Sequence, residues 1–190
     1  MKFTLSWLKD HLDTSASLDE IADKLTLIGL EVEALVDPSE TFANFEVAEI
    51  IATAPHPEAD RLQICTVKSG GGEQQLVCGA PNARAGLVGI LAQEGAVIPA
   101  SGMVLGKAKI RGGESRGMMC SGAELGLNDD HDGVIELEAG ASIGSPAAVA
   151  LELDDPMIEI GITPNRPDCL GVRGIARDLA AAGLGTLKED

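Results

Sequence analysis

The chain has 190 residues, 45% of them hydrophobic, and a formal net charge of −16 at pH 7. That apolar content suffices for one large folded domain or two small ones and excludes a disordered chain, while the acidic balance argues against a dedicated nucleic-acid binder. The opening MKFTLSWLKD has no apolar run of signal-peptide length, and no stretch nears the roughly 20 apolar residues that span a bilayer, so a cytosolic, cytoplasmic protein is expected, with no membrane partner.

The first 39 residues read as helix, helix, strand. In SLDEIADKLTLIGLEVEALVD, Ser17 and Glu20 form the S-x-x-E capping box that satisfies free amides at a helix start. Ile21, Leu25 and Ile28 recur at i, i+4 and i+7 as one apolar stripe, Gly29 is the stop, and LEVEALV alternates as a strand does. Nothing in this segment points to chemistry.

Residues 40–150 change character. Short runs (EVAEIIATA, LQICTV, QLVCGA, VGILAQ, KAKIRG, GMMCSG, GVIELE) alternate with glycine, proline and asparagine clusters. Even spacing with little helical period predicts a small β-barrel, which closes its own edges and so stays soluble. After it, MIEIGI alternates Ile158, Ile160 and Ile162, and TPNRPD is a rigid turn because Pro164 and Pro167 each fix φ. Asp168 is the expected N-cap of a helix over CLGVRGIARDLAAAG, with Val172, Ile175, Leu179 and Ala182 on one stripe and Gly183 as its stop. Neither flank, at about 40 residues, can bury a core alone. The expectation is therefore an α+β chain: a discontinuous α/β domain of residues 1–39 plus 151–190, carrying an inserted barrel of residues 40–150.

The candidate chemistry is sparse. His56 stands between two prolines in APHPEADRLQICTV, and no nucleophile accompanies it, so it reads as shaping a turn with Asp60 and Arg61 rather than as a base. Cys65, Cys78, Cys120 and Cys169 are 13, 42 and 49 residues apart with no C-x-x-C pair, the pattern of reduced core thiols rather than a zinc site. RGGESRGMMCSG lacks the Walker spacing and reads as a turn before a buried strand. In CGAPNARAG, Asn82 is placed to cap backbone groups and Arg84 to reach solvent or RNA.

Charge is the one feature that points outward. Between Arg61 and Gly117 lie seven basic residues (Arg61, Lys68, Arg84, Lys107, Lys109, Arg111 and Arg116) against three acidic ones, Glu73, Glu94 and Glu114. That local excess of four positive charges makes the window attractive to an anion although the whole chain repels one. In GKAKIRG, strand alternation puts Lys107, Lys109 and Arg111 on one side, either as a cationic strip for RNA phosphates or as an ordinary solvated face. The only aromatic residues are Phe3, Trp7, Phe42 and Phe45, so the barrel has few platforms on which bases could stack, and affinity for RNA should be weak.

The runs HPEADRLQICTV, VCGAPNARAG, KAKIRGGESRGMMCSGAELGL and DGVIEL resemble the OB-fold tRNA-binding module found appended to some bacterial methionyl-tRNA synthetases and also free-standing. Preceded by FTLSWLKDHLD and LTLIGLEVEAL and followed by EIGITPNRPDCLGVRGIARDLAA, they make the whole chain resemble the N-terminal region of the bacterial phenylalanyl-tRNA synthetase beta subunit. TPNRPDCLGVRGIARD in that position is the specific marker, and Gly171, where relatives often have serine, is a small departure that touches only helix stability.

The resemblance implies an aminoacyl-tRNA synthetase, a ligase of protein biosynthesis, built as a heterotetramer of two alpha and two beta chains. It joins phenylalanine to tRNA(Phe) using ATP and magnesium, hence nucleotide and metal binding in the full enzyme. It implies too that aminoacylation resides on the alpha subunit, and that the editing, magnesium-associated and anticodon-contacting regions lie beyond Asp190. The part in hand then has no catalytic residues, no cofactor and no metal of its own. It serves auxiliary tRNA binding, for which Arg61, Lys68, Arg84, Lys107, Lys109, Arg111 and Arg116 are the candidates, and structural support. The rival readings are a pure scaffold that touches no RNA and a free-standing OB-fold RNA-binding protein; the latter leaves residues 1–39 and 157–182 unexplained.

Overall fold

The computed structural model describes residues 1–110, 113–138 and 140–189, and within them not the side chains of 108–110 and 113–114. In chain order the first elements are β1 (Lys2–Thr4), α1 (Leu5–His11), β2 (Leu12–Asp13), α2 (Leu18–Leu27), β3 (Val32–Val36) and the single turn α3 (Pro38–Thr41). Strands then follow: β4 (Phe45–Pro55), β5 (Gln63–Ser69), β6 (Gly72–Cys78), β7 (Val88–Ala92), β8 (Ala108–Ile110), β9 (Gly113–Ser115) and β10 (Met118–Met119). Last come α4 (Ala147–Ala150), β11 (Met157–Ile160), a 3-10 turn at Pro167–Cys169, α5 (Val172–Ala181) and β12 (Thr186–Leu187). The chain forms two units, Met1–Pro38 with Asp154–Asp190, and Ser39–Leu153.

The first unit is built on an antiparallel sheet of order β1-β11-β3, in which Ile158 faces Phe3 on one side and Leu35 on the other. Phe3, Ile158 and Ile160 are buried against Leu8, Ile21, Leu25, Ile175 and Leu179 of the helices, and each such side chain contributes about 1.5–3 kcal/mol by leaving water. The Ser17–Glu20 capping box forms in both directions, and α2 stops where Gly29 turns to φ 89° and Leu30 N–H reaches the Leu25 carbonyl at 2.9 Å. Short β2 and β12 pair through Asp13 and Thr186 and tie the last residues to the α1 end.

One helix boundary differs from the sequence expectation. Gly171, not Asp168, is the N-cap of α5, with no side-chain cap, while Asp168 sits in the 3-10 turn. The physical reason is charge: the Asp168 carboxylate is drawn to Arg166 and Arg177, and the extended backbone of Gly171 (φ −130°, ψ 146°) resets the chain before the helix.

The second unit is a curled, five-stranded antiparallel half-barrel of order β10-β7-β4-β5-β6, consistent with the expected OB-fold and, with the first unit, with the α+β class. Strand alternation gives it two buried faces. Phe45 and Val47 of β4 pack with Ile90 and Ala92 of β7 on one side, and Ala48 and Ile50 pack with Cys65, Val67 and Leu91 on the other. A register shift between Ile50 and Ala52 bends β4, as a bulge does in a curled sheet. Residues 115–119 run from one sheet edge to the other: Arg116 N–H bonds the Gln75 carbonyl beside β6, and Met118 and Met119 then pair with β7. GVIELE, expected as a strand, is not one. Its Ile135 and Leu137 amides bond the Cys120 and Val88 carbonyls, so the segment lies extended with Glu136 and Glu138 facing outward. Among the described residues no helix is long and apolar enough to cross a membrane.

Candidate nucleic-acid interface

His56 closes a turn. It is 5% exposed, its amide bonds the Leu62 carbonyl at 3.1 Å, and its Nδ1 accepts the Glu58 amide at 3.1 Å. An imidazole nitrogen spent on the backbone in this way orients a loop and is not aimed at a substrate. The turn delivers Arg61 to the surface just ahead of β5.

The seven basic candidates fall into three groups. Arg61 and Lys68 are exposed and make no ion pair among the described residues; Lys68 nevertheless lies opposite Glu49 on β4 and Glu73 on β6, the register at which cross-strand charges feel one another. Arg116 is exposed beside β6, with Gln74 Nε2 bonded to its carbonyl at 3.1 Å. Arg84 and Lys107 are countered within the unit, by Glu136 at 2.7 Å and by Glu94 at 3.8 Å. Lys109 lies in β8 opposite Glu114, its side chain outside the described residues, as is Arg111 altogether. The structure thus places Lys68 on β5, Arg116 beside the edge strand β6 and Arg84 on a loop of its own.

That loop is built with care. Asn82 Oδ1 accepts the Val134 amide and its Nδ2 donates to the Val134 carbonyl, both at 2.9 Å, so one side chain satisfies both backbone groups of a residue 52 positions away. Gly133 makes the approach possible, because a Cβ there would stand 2.5 Å from Asn82 Oδ1. Arg84 then meets Glu136 through two parallel bonds of 2.8 and 2.7 Å, and Asn82 Nδ2 bonds the same carboxylate at 3.1 Å. Arg84 first, and Asn82 after it, hold the Glu136 carboxyl down at about 2, so it is an anion throughout the neutral range. No sequence pattern pairs Arg84 with Glu136; the outward turn of Glu in VIEL is the only trace.

Phe42 and Phe45, the sole aromatics of this unit, meet edge to face with centroids 5.5 Å apart and are 6% and 2% exposed. Both belong to the core and neither can stack a base.

Other reactive groups are accounted for internally. The four thiols are free and buried; burial and, behind it, Glu124 push Cys120 up to about 12, and burial and then Asp178 push Cys169 up to about 11. Cys65 and Cys78 lie on adjacent strands of one core face, where hydrogen bonding from Cys65 lowers Cys78 and raises Cys65. Asp168, Cys169 and Asp178 converge within 4.8 Å, as no other described His, Cys, Asp or Glu group does. The Arg166 guanidinium bonds all three, and Arg177 bonds both carboxylates, so the cluster already holds its cations.

The curled antiparallel half-barrel presents Arg61, Lys68 and Arg116 at its surface and keeps both of its phenylalanines in the core. The chain belongs to the family described as "Putative tRNA binding domain", which matches residues 45–146. Over its whole length it is similar to phenylalanine–tRNA ligase beta subunits: 62% identical to that of Rhodospirillum rubrum, 60% to that of Bartonella henselae and 59% to that of Brucella abortus. All of this chain is covered in each case but only 24% of the relative, so the chain spans about a quarter of their length. Among solved structures, a MetRS related protein from Pyrococcus horikoshii aligns with 60% of this chain and 98% of its own at 20% identity and a TM-score of 0.43.

Proposed function

We propose that this chain is part of the beta subunit of a phenylalanine–tRNA ligase and that its half-barrel unit makes auxiliary contact with tRNA(Phe) through backbone phosphates. The observation that supports this is the joint match: similarity along all 190 residues to such subunits, and a tRNA-binding family across 45–146. In this reading the alpha subunit is the partner in an assembly of two alpha and two beta chains in the cytoplasm. ATP and magnesium serve the assembled ligase, and this part contributes contact and support without a catalytic step. Arg61, Lys68, Arg84, Lys107, Lys109, Arg111 and Arg116 are the proposed RNA side chains.

With no base-stacking platform, contact rests on charge and shape, which position RNA but read little sequence. Binding of a labelled tRNA(Phe) should therefore fall steeply with salt. Replacing Arg61 and Lys68 with alanine should lower the log–log slope by roughly one per lost phosphate contact, and should weaken unrelated tRNAs equally. An unchanged slope in a folded Arg61→Ala, Lys68→Ala protein would favour the scaffold reading, to which the internal pairing of Arg84 and Lys107 already lends weight.

A further inference from the structure

We propose that Glu136 is a built-in phosphate mimic: it holds Arg84 in the bidentate geometry an RNA phosphate would use, and tRNA must displace it to engage that arginine. The inference rests on the RNA-contact reading and assigns a regulatory residue to it. Three features of the pair carry it. The contact is a fork, with Arg84 Nη1 and Nη2 each donating to one carboxylate oxygen at 2.8 and 2.7 Å, which is the arrangement guanidinium groups make with phosphates. Both side chains are within reach of solvent, at 59% and 43% exposure, so an incoming phosphate can approach the same nitrogens. Glu136 is also not orphaned when the arginine leaves, since Asn82 Nδ2 stays on its Oε1 at 3.1 Å, and Asn82 is itself fixed to Val134.

Displacement is energetically open because exposed ion pairs are weak, and the holding effect on affinity is correspondingly modest, about two- to fivefold. The exchange also masks part of the salt signature. When a phosphate takes Arg84 from Glu136, the freed carboxylate gathers a counterion, offsetting one released from the RNA. Removing the carboxylate should uncover that ion, steepening the log–log salt slope by roughly one.

The test is a four-protein cycle with the full chain and a labelled tRNA(Phe) transcript at several salt concentrations: wild type, Glu136→Gln, Arg84→Ala and the double variant. Glu138→Gln serves as a charge-only control, because Glu138 is exposed two residues away and makes no ion pair among the described residues. Glu136→Gln should bind about two- to fivefold tighter with a steeper slope, Glu138→Gln should change little, and the gain should vanish in the Arg84→Ala background. A gain that persists without Arg84, or one matched by Glu138→Gln, would reduce the effect to net charge and overturn the proposal. Salt-dependent binding that Arg61 and Lys68 govern but Glu136 does not touch would remove the mimic and leave the RNA-contact reading standing. If no form binds tRNA at low salt, both fall.

Discussion

At the scale of single residues, carboxylates set the behaviour of the cations. Glu136 is held at about 2 by Arg84 and Asn82, and Asp168 is held below the usual carboxylate range by Arg166 and, further, by Arg177. A carboxylate whose folded pKa lies below its unfolded one contributes stability that is complete above the unfolded value, near 4, and is lost as pH falls through the folded value. Wild type should thus lose melting temperature as pH falls from about 4.5 toward 2 more steeply than Glu136→Gln or Asp168→Asn, with Glu136→Gln nearing it at the acid end and Asp168→Asn still short of it there. Thermal melts by circular dichroism across that window measure this, and parallel curves would mean the pairs do not outlast solvation. Legibility at this scale was uneven. Arg84 and Asn82 stood out in CGAPNARAG because of their loop chemistry, but their partners Glu136 and Val134 did not, since the link spans about fifty residues and follows no period.

At the scale of elements, Gly174 shows tertiary contact overriding local preference. A glycine inside α5 costs about 1 kcal/mol relative to alanine by propensity. A Cβ at that position, however, would lie 1.8 Å from the Asp168 carbonyl oxygen, so the 3-10 turn and the helix can pack only across a bare Cα. Gly174→Ala should therefore destabilise by about 1–3 kcal/mol despite its better propensity, as read from urea unfolding; a stabilised variant would show that the turn yields freely. The Ser17–Glu20 cap, the Gly29 stop and the alternating runs of β3, β4, β5, β7 and β11 were readable in advance because each signal lies within a few residues. The Asp168 cap expected from sequence does not form, because its carboxylate is taken up by Arg166 and by Arg177, nine positions on. Strands β1, β2 and β12 were invisible, being two or three residues long and defined only by partners elsewhere in the chain.

At the scale of the molecule, the first unit draws on both ends of the chain, and Val36 and Met157 are paired neighbours in its antiparallel sheet. Their Cα atoms are then about 5 Å apart, so everything between them departs from and returns to nearly one point. Deleting residues 39–153 and joining the ends with a few glycines should leave a protein that unfolds cooperatively, less stable for its smaller core. Non-cooperative melting of that remnant would show that β1, β3 and β11 need the half-barrel unit to stay paired.

The sequence by itself determined the α+β class, the strand runs of β4 to β7, the helix stops at Gly29 and Gly183 and the resemblance that the family match upholds, because each is written in short-range periods, glycines and contiguous motifs. Only the tertiary structure decided how the charges are spent. Arg84 and Lys107 look outward in the sequence and are countered by Glu136 and Glu94 in space, and Phe42 and Phe45 turn into the core instead of toward a base. The reason is physical: electrostatic and packing partners are chosen by distance in three dimensions, and a chain that curls its sheet brings together residues whose separation in sequence carries no signal.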